Sequence, residues 1–548
     1  MLRDEQIKQL KETHFDLVVV GGGATGSGIA LDAATRGLKV ALVERDDFAA
    51  GTSSRSTKLI HGGVRYLEQA VKKFDKEQYQ LVKEALHERA TLIKLAPHLS
   101  HPIALVTPIY SWFAVPYFRI GLKIYDWLAG KKNLNPSKYL SAKAAKKNFP
   151  LLKAKGLRGG VLYYDGQFDD ARMNVSIALT ALEKGAVLAN HTEVIQLLKK
   201  DNRLHGVRVK DLNTQEEFDI RGKVVVNATG PFTDTLRKME DPEGKPILRA
   251  SSGVHIVLDK RFSPPATGLL IPKTEDNRVL FLLPWLGHTL VGTTDNPAKV
   301  EKNPRPSEED IQYILRHLKK YFDVPVSRAD IQAAWSGLRP LVSDPKASDT
   351  ARLSRDHVIH VGPSGLLTIT GGKWTTYRKM ALDAVDHAIE LGELKPTQKS
   401  QTEKTVLRGG EGYSGQLSQA LIQDFSLDRD VAIHLARAYG SHAPEVARLA
   451  REGYGKRLVA GHPYLEAEVL YAVEHELALT AVDILARRTR LTFLDAPAAK
   501  KALPKVLDLM AHLLGWDTAR RQVEEARFFR YLDHAPSAEM EPPEKKTA

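Results

Sequence analysis

The sequence predicts an α/β protein with a Rossmann-like dinucleotide-binding domain, an antiparallel-sheet domain inserted into it, and a helical C-terminal domain. Three observations predict it. Residues 15–44 read FDLVVVGGGATGSGIALDAATRGLKVALVE, a strand, a glycine turn, a helix and a second strand. Residues 251–295 hold three strand-like runs, GVHIVLD, RVLFLLPW and HTLVGTTD, without the alternating helices of βαβ units. Beyond residue 405 the apolar spacing is helical almost throughout.

The first unit carries its own mechanics. Residues 17–20 are an apolar strand, and Gly21, Gly23 and Gly26 follow at G-x-G-x-x-G spacing. The first glycine permits the tight turn, the second lets a pyrophosphate approach the backbone, and the third lets helix pack on strand. The helix, rich in small residues, offers free N–H groups and the positive end of its dipole to phosphate. Gly37 ends it, residues 40–43 form the next strand, and Glu44 stands 18 residues beyond Gly26, placed to accept from a ribose hydroxyl.

The 548 residues suffice for two to four domains. There is no cysteine, which excludes disulfides, thiolate metal sites, iron–sulfur clusters and cysteinyl flavin, and no metal site is expected. Lys and Arg number 79 against 66 Asp and Glu, a net charge of +13 that suits anionic substrates or an anionic membrane surface. No nucleic-acid motif accompanies it, so no nucleic-acid partner is expected. The charged start, MLRDEQIKQLKETH, lacks a signal-peptide core, and no apolar run is long enough to span a bilayer. The expected location is cytoplasmic, peripheral on the inner face of the cell membrane.

Further along, residues 51–67, GTSSRSTKLIHGGVRYL, are dense in hydroxyls, glycine and cations and read as a second wall of the nucleotide site. Residues 75–95 form a helix stopped by Pro97. Residues 101–130 are aromatic-rich and broken by three prolines; within them 117–128 is a basic amphipathic helix with Trp127, suited either to a membrane interface or to internal packing. Residues 159–168 read as strand and turn, 170–185 as a helix, and 186–210 as two or three short strands around His191, Thr192 and Glu193. The run KVVVNATG at 223–230 is a buried strand ending where backbone can approach a ligand. A helix is expected over 306–322, and the strand 365–370 runs into Gly371, Gly372 and Lys373, repeating the N-terminal strand–glycine–helix logic. Residues 394–405 read as a polar linker, 464–485 and 503–514 as helices, RRTRLTF at 487–493 as a solvated helix end, and the last residues as a disordered tail.

The set GGGATGSG, TSSRSTKLIHGGVRYLE, NATGPFTD, GVHIVL, SGLRPL and TGGKWTTYR resembles the FAD-dependent, respiratory glycerol-3-phosphate dehydrogenases, from about residue 15 to 379 and again around 471–491. KLIHGGVRYLE is its most specific string. Phe232, where that family commonly has Trp, is a small departure. The resemblance implies a glutathione-reductase-type FAD-binding domain (1–95, 156–245 and 345–393), a substrate or cap domain (96–155 and 246–344), a helical C-terminal domain (406–535) and a tail (536–548). It implies non-covalent FAD, oxidation of sn-glycerol 3-phosphate to dihydroxyacetone phosphate in glycerol metabolism, and electrons passed to a membrane quinone. A homodimer is left open.

Carried over residue by residue, the resemblance assigns Gly21, Gly23, Gly26 and Glu44 to the adenosine end of FAD. Thr52, Ser53, Lys58 and Leu59 would line its phosphates and ring, Val194 the adenine side, Ala228 and Gly230 the dinucleotide, and Gly371, Lys373, Trp374 and Thr375 the isoalloxazine or substrate. Arg65, Tyr66, Arg339 and Lys373 would hold the phosphoglycerol. Arginine suits that dianion by its planar, permanent charge. Oxidation of the alcohol needs a base, and His61 or His255 can serve, beside the cations Arg339 and Lys373. The flavin carries the redox chemistry. Two readings compete: an oxygen-using oxidase of the same substrate, disfavoured by the lack of a long middle insertion, and a non-catalytic flavoprotein sensor, disfavoured by the retained cations.

Overall fold

The computed structural model describes residues 2–61, 76–113, 115–116, 120–121, 130, 134–276, 278–342 and 357–533. Arg65, Tyr66, most of the 117–128 segment and the 536–548 tail lie outside the described residues.

The dinucleotide unit is a sheet whose parallel core runs Leu367–Gly371, Glu217–Asn227, His14–Val20, Val40–Val43, Val187–Ala189. Its strands are continuous apolar runs because helices cover them; Leu17, Val18, Val19 and all of Val40–Val43 are buried. Helix Ala24–Thr35 packs between helices Asp170–Glu183 and Tyr377–Gly392, and its small residues permit that close approach. Strands Thr192–Lys200 and Arg203–Asp211 extend the sheet antiparallel, as the short strands expected over 186–210.

The second sheet is largely antiparallel. Its long pair is Leu248–Asp259 with Ile331–Val342, in register Ser251 to Arg339, Gly253 to Gly337 and His255 to Trp335. Strands Leu280–Trp285 and His288–Gly292 pair antiparallel, as the strand-like runs over 251–295 predict. Strand Gly159–Phe168 pairs with Ser100–Ile109 in this sheet, so the stretch assigned to the dinucleotide unit from residue 156 begins in the other layer. Its alternating apolar run suits either sheet, and only the long-range pairing decides.

The C-terminal region is helical, from Leu417–Phe425 to Thr518–Leu532. Three expectations change. The helix read over 464–485 stops after Glu466–His475, where Leu477 turns left-handed (φ 58°) and the Asp483 carboxylate accepts from the amides of Leu479 and Thr480 (2.9 and 3.0 Å). The helix read over 503–514 starts earlier, at Ala496, capped by Asp495, and runs to Leu514. The 394–405 stretch is fastened to helix Ala24–Thr35: Thr397 N donates to O of its capping Arg36, and Ser400 Oγ to the buried Asp32.

Candidate functional site

The carboxyl ends of the parallel strands open on one cavity of about 980 Å³. That is where an open α/β sheet places a ligand, and the central strand His14–Val20 supplies the glycine turn. Gly21, Gly23, Glu44, Thr52, Ser53, Val194, Ala228, Gly230, Gly371, Lys373 and Trp374 all line it. Residues spread over more than 350 positions are thus brought together.

The lining fits a dinucleotide. Helix Ala24–Thr35 starts at Gly23, which has no side chain to cap it, and has no acid in its first turn, so its dipole end faces the cavity. Gly26 faces inward instead: a Cβ there would lie 1.8 Å from Gly21 O, so it is a packing glycine beneath the turn. Glu44 accepts from Gly22 N (2.6 Å) and Asp46 N (2.9 Å), and each oxygen keeps a second lone pair for a ribose hydroxyl. Burial, aided by Asp46, pushes its carboxyl above the usual range.

Four segments distant in sequence are tied together on this wall. Ser53 Oγ accepts from Ala24 N (2.9 Å), Trp374 Nε1 donates to Ser53 O (2.9 Å), and Thr52 Oγ1 donates to Leu338 O (2.5 Å). Trp374 packs edge-on against Phe168, with ring centroids 4.9 Å apart. Thr375 is buried behind it, away from the cavity lining.

Beside this wall stands Arg339, paired with Asp295. Arg339 donates to Asp295 Oδ1 (2.9 Å), Thr293 Oγ1 (3.2 Å) and Thr294 O (3.1 Å). Its guanidinium covers Gly253, where a Cβ would meet Nη2 at 2.5 Å. His255, two residues on and so on the same strand face, is buried. It meets Thr57 Oγ1 through Nε2 (3.0 Å) and stacks on Trp335 with centroids 4.1 Å apart. Burial, with Lys58 and Arg339 nearby, holds its pKa well below the ordinary imidazole range, so the ring is neutral. His61, half-buried, follows strand Leu59–Ile60 at the edge of the described residues.

Lys58 and Leu59, expected on the cofactor, do not line the cavity. Leu59 belongs to the second sheet, opposite Gln167. Lys58 is fully buried, with Nζ 2.7 Å from Asp170 Oδ2 and 2.7 Å from Ser54 O, over the Trp335 and Trp285 rings. Burial brings its pKa down to about 7.

The segment read as a solvated helix end is instead an ionic core. Arg487 and Arg488 donate to Asp47 Oδ2 at 2.6 and 2.7 Å, and Arg490 Nη2 donates to Ser54 O (2.7 Å) and Asp170 Oδ1 (3.2 Å). All three arginines are buried. Nothing local in RRTRLTF distinguishes a buried basic cluster from an exposed one. The partners Asp47 and Asp170 lie more than 300 residues away.

The fold and the cavity define a flavin-dependent oxidoreductase, and residues 16–378 match the FAD dependent oxidoreductase family. Residues 400–521 match the C-terminal domain of alpha-glycerophosphate oxidase. The mitochondrial glycerol-3-phosphate dehydrogenase of Bos taurus is 53% identical, covering 97% of this chain and 75% of that protein. Its counterpart in Arabidopsis thaliana is 50% identical over 95% of this chain and 86% of its own. Among solved structures, a glycerol-3-phosphate dehydrogenase from Bacillus halodurans complexed with FAD superposes with TM-score 0.80 at 31% identity, covering 97% of this chain and 98% of the other. The chain belongs to the family of FAD-dependent glycerol-3-phosphate dehydrogenases.

Proposed function

We propose that this enzyme oxidises sn-glycerol 3-phosphate to dihydroxyacetone phosphate and passes the electrons to a membrane quinone. The observation that carries the reading is that Thr52, on the wall of the dinucleotide cavity, bonds to Leu338 O, next in the chain to Arg339 and on the strand paired with that of His255. FAD, when bound, supplies the hydride acceptor.

Gly21, Gly23, Glu44, Val194, Ala228 and Gly230 would hold its adenosine and diphosphate. Thr52, Ser53, Gly371 and Trp374 would hold the flavin end. Arg339 and Lys373, with Arg65 and Tyr66, would hold the substrate phosphate. The alcohol loses its carbon-bound hydrogen with both electrons, while its hydroxyl proton passes to a base. Of the two histidines His255 is the better supported, since its neutral ring stands beside Arg339 with Nε2 at the Thr57 hydroxyl. Peripheral membrane contact is supported by Trp112 and Phe113, which are exposed at 61% and 95%. Among the described residues no helix is long and apolar enough to cross a membrane.

The test is an anaerobic titration of the purified protein with glycerol 3-phosphate, read by flavin absorbance. Bleaching, followed by recovery on adding a soluble quinone, is the expected result. Flavin that stays oxidised overturns the substrate. Recovery by oxygen with peroxide release but not by quinone would favour an oxidase.

A further inference from the structure

The cofactor cavity has a wall that the dinucleotide fold does not supply. Helix Thr518–Leu532, at the end of the described chain, lines it with Arg520, Arg527, Arg530 and Tyr531. Only the first residues of this helix fall within the stretch matched to a known C-terminal domain. Positions 520, 524, 527 and 531 follow helical spacing and share one face. Glu524, completely buried, sits 3.0 Å from both Arg520 Nη2 and Arg527 Nη1 and fixes the two guanidinium groups relative to each other.

The helix is fastened at both ends to other parts of the molecule. Arg520 Nη2 donates to Asn213 Oδ1 (3.2 Å), next to Leu212 and near Val194 on the adenosine side of the cavity. Asn303 Nδ2 donates to Tyr531 O (2.8 Å), and Arg55 Nη2 reaches the Tyr531 hydroxyl (3.4 Å), beside the Thr52–Ser53 loop. From Arg520 to Tyr531 the helix rises about 16 Å, so it runs along the cavity rather than touching it at one point. Phe528, flanking that face, anchors the helix and is completely buried in the core. Among the described residues, eight Lys and Arg against five Asp and Glu line the cavity, and three of the eight come from this helix. The excess positive charge matches a diphosphate.

We propose that helix Thr518–Leu532 is a strap of the cofactor site, with Arg527 and Arg530 holding the diphosphate of FAD and Glu524 positioning Arg527. FAD retention then depends on the C-terminal domain as well as on the glycine turn.

The experiment follows FAD release from the full-length holoprotein after dilution, by the rise in free-flavin fluorescence. Arg530 is exposed, so Arg530→Ala leaves the packing alone. It should release FAD roughly tenfold faster, the loss expected for one charge-assisted contact, with Arg527→Ala comparable and Arg530→Lys near wild type. Melting of the apoprotein should be unchanged in the Arg530 variants, which separates loss of a cofactor contact from loss of fold. Release within twofold of wild type in both alanine variants would overturn the proposal. So would release by Arg530→Lys as fast as by Arg530→Ala, since charge would then not be what holds FAD.

Discussion

Lys58 Nζ lies 2.7 Å from Asp170 Oδ2, and neither side chain has any exposure. The same carboxylate accepts from Ser56 N (3.0 Å), Ser56 Oγ (2.7 Å) and Arg490 Nη2 (3.2 Å). One aspartate therefore ties the loop after Ser53 and the helix Asp170–Glu183 to the C-terminal domain. Removing one partner of a buried pair strands the other charge, at a cost of about 3–5 kcal/mol. Asp170→Ala is expected to lose that much in urea unfolding and to loosen FAD through the displaced Thr52–Ser53 loop. A loss under 1 kcal/mol would contradict the linchpin role.

The same lysine predicts a pH dependence. Its folded pKa is about 7, below the ordinary lysine value, because burial opposes the charge. Between pH 7 and about 10 the unfolded chain holds a proton that the folded chain does not. Stability from this group therefore rises with pH across that window. Wild type should gain on Lys58→Met from pH 7 to 10, at up to about 1.4 kcal/mol per pH unit. Unfolding free energies measured at several pH values check it, and a constant difference would refute it.

Gly26 is a prediction about fold and cofactor at once. A Cβ there would stand 1.8 Å from Gly21 O, backbone against backbone, with no flexible side chain to give way. Gly26→Ala should push the helix off the strand, destabilise the protein by more than about 2 kcal/mol, and yield colourless protein. A yellow Gly26→Ala protein of normal stability would show that the turn can relax.

The residues at positions 21, 44, 228 and 371 were legible in the sequence because strand, glycine and helix follow one another locally, and an open sheet brings all strand ends to one edge. The antiparallel sheet was legible from its apolar runs. What escaped was non-local. Lys58 sits in a loop rich in hydroxyls and reads as a phosphate ligand, yet Asp170, more than a hundred residues away, draws it into the interior. Arg487, Arg488 and Arg490 look like surface charge until Asp47 and Asp170 are placed beside them. Residues 520–531 carry no motif, and only packing brings them to the cavity.

His255 carries a kinetic prediction. Burial, with Lys58 and Arg339 nearby, keeps the ring unprotonated across the physiological range. Turnover of the wild type should therefore lack an acid limb near pH 6.5. His255→Ala should lower kcat by about 10²–10⁴-fold while the flavin spectrum stays that of bound FAD. Steady-state rates from pH 5.5 to 8.5 test both statements. If His255→Ala retains wild-type turnover, His61 becomes the base to examine.

The last prediction concerns the membrane. Phe113 is 95% exposed, Trp112 61% and Ile120 63%, and Arg158 lies over the Trp112 ring at 5.5 Å. Large apolar side chains that stand out from a basic protein suit an interface where rings enter the acyl boundary and cations meet lipid headgroups. At roughly 25 cal/mol per Å² of buried apolar surface, removing two aromatic rings should weaken binding by well over tenfold. Flotation with anionic vesicles is therefore expected to carry the wild type upward and to leave Trp112→Ser/Phe113→Ser at the bottom, with flavin content unchanged. High salt should reduce wild-type binding without abolishing it, because the apolar part is not screened. Equal flotation of both proteins would place the membrane surface elsewhere, and no flotation of the wild type at low salt would end the membrane reading.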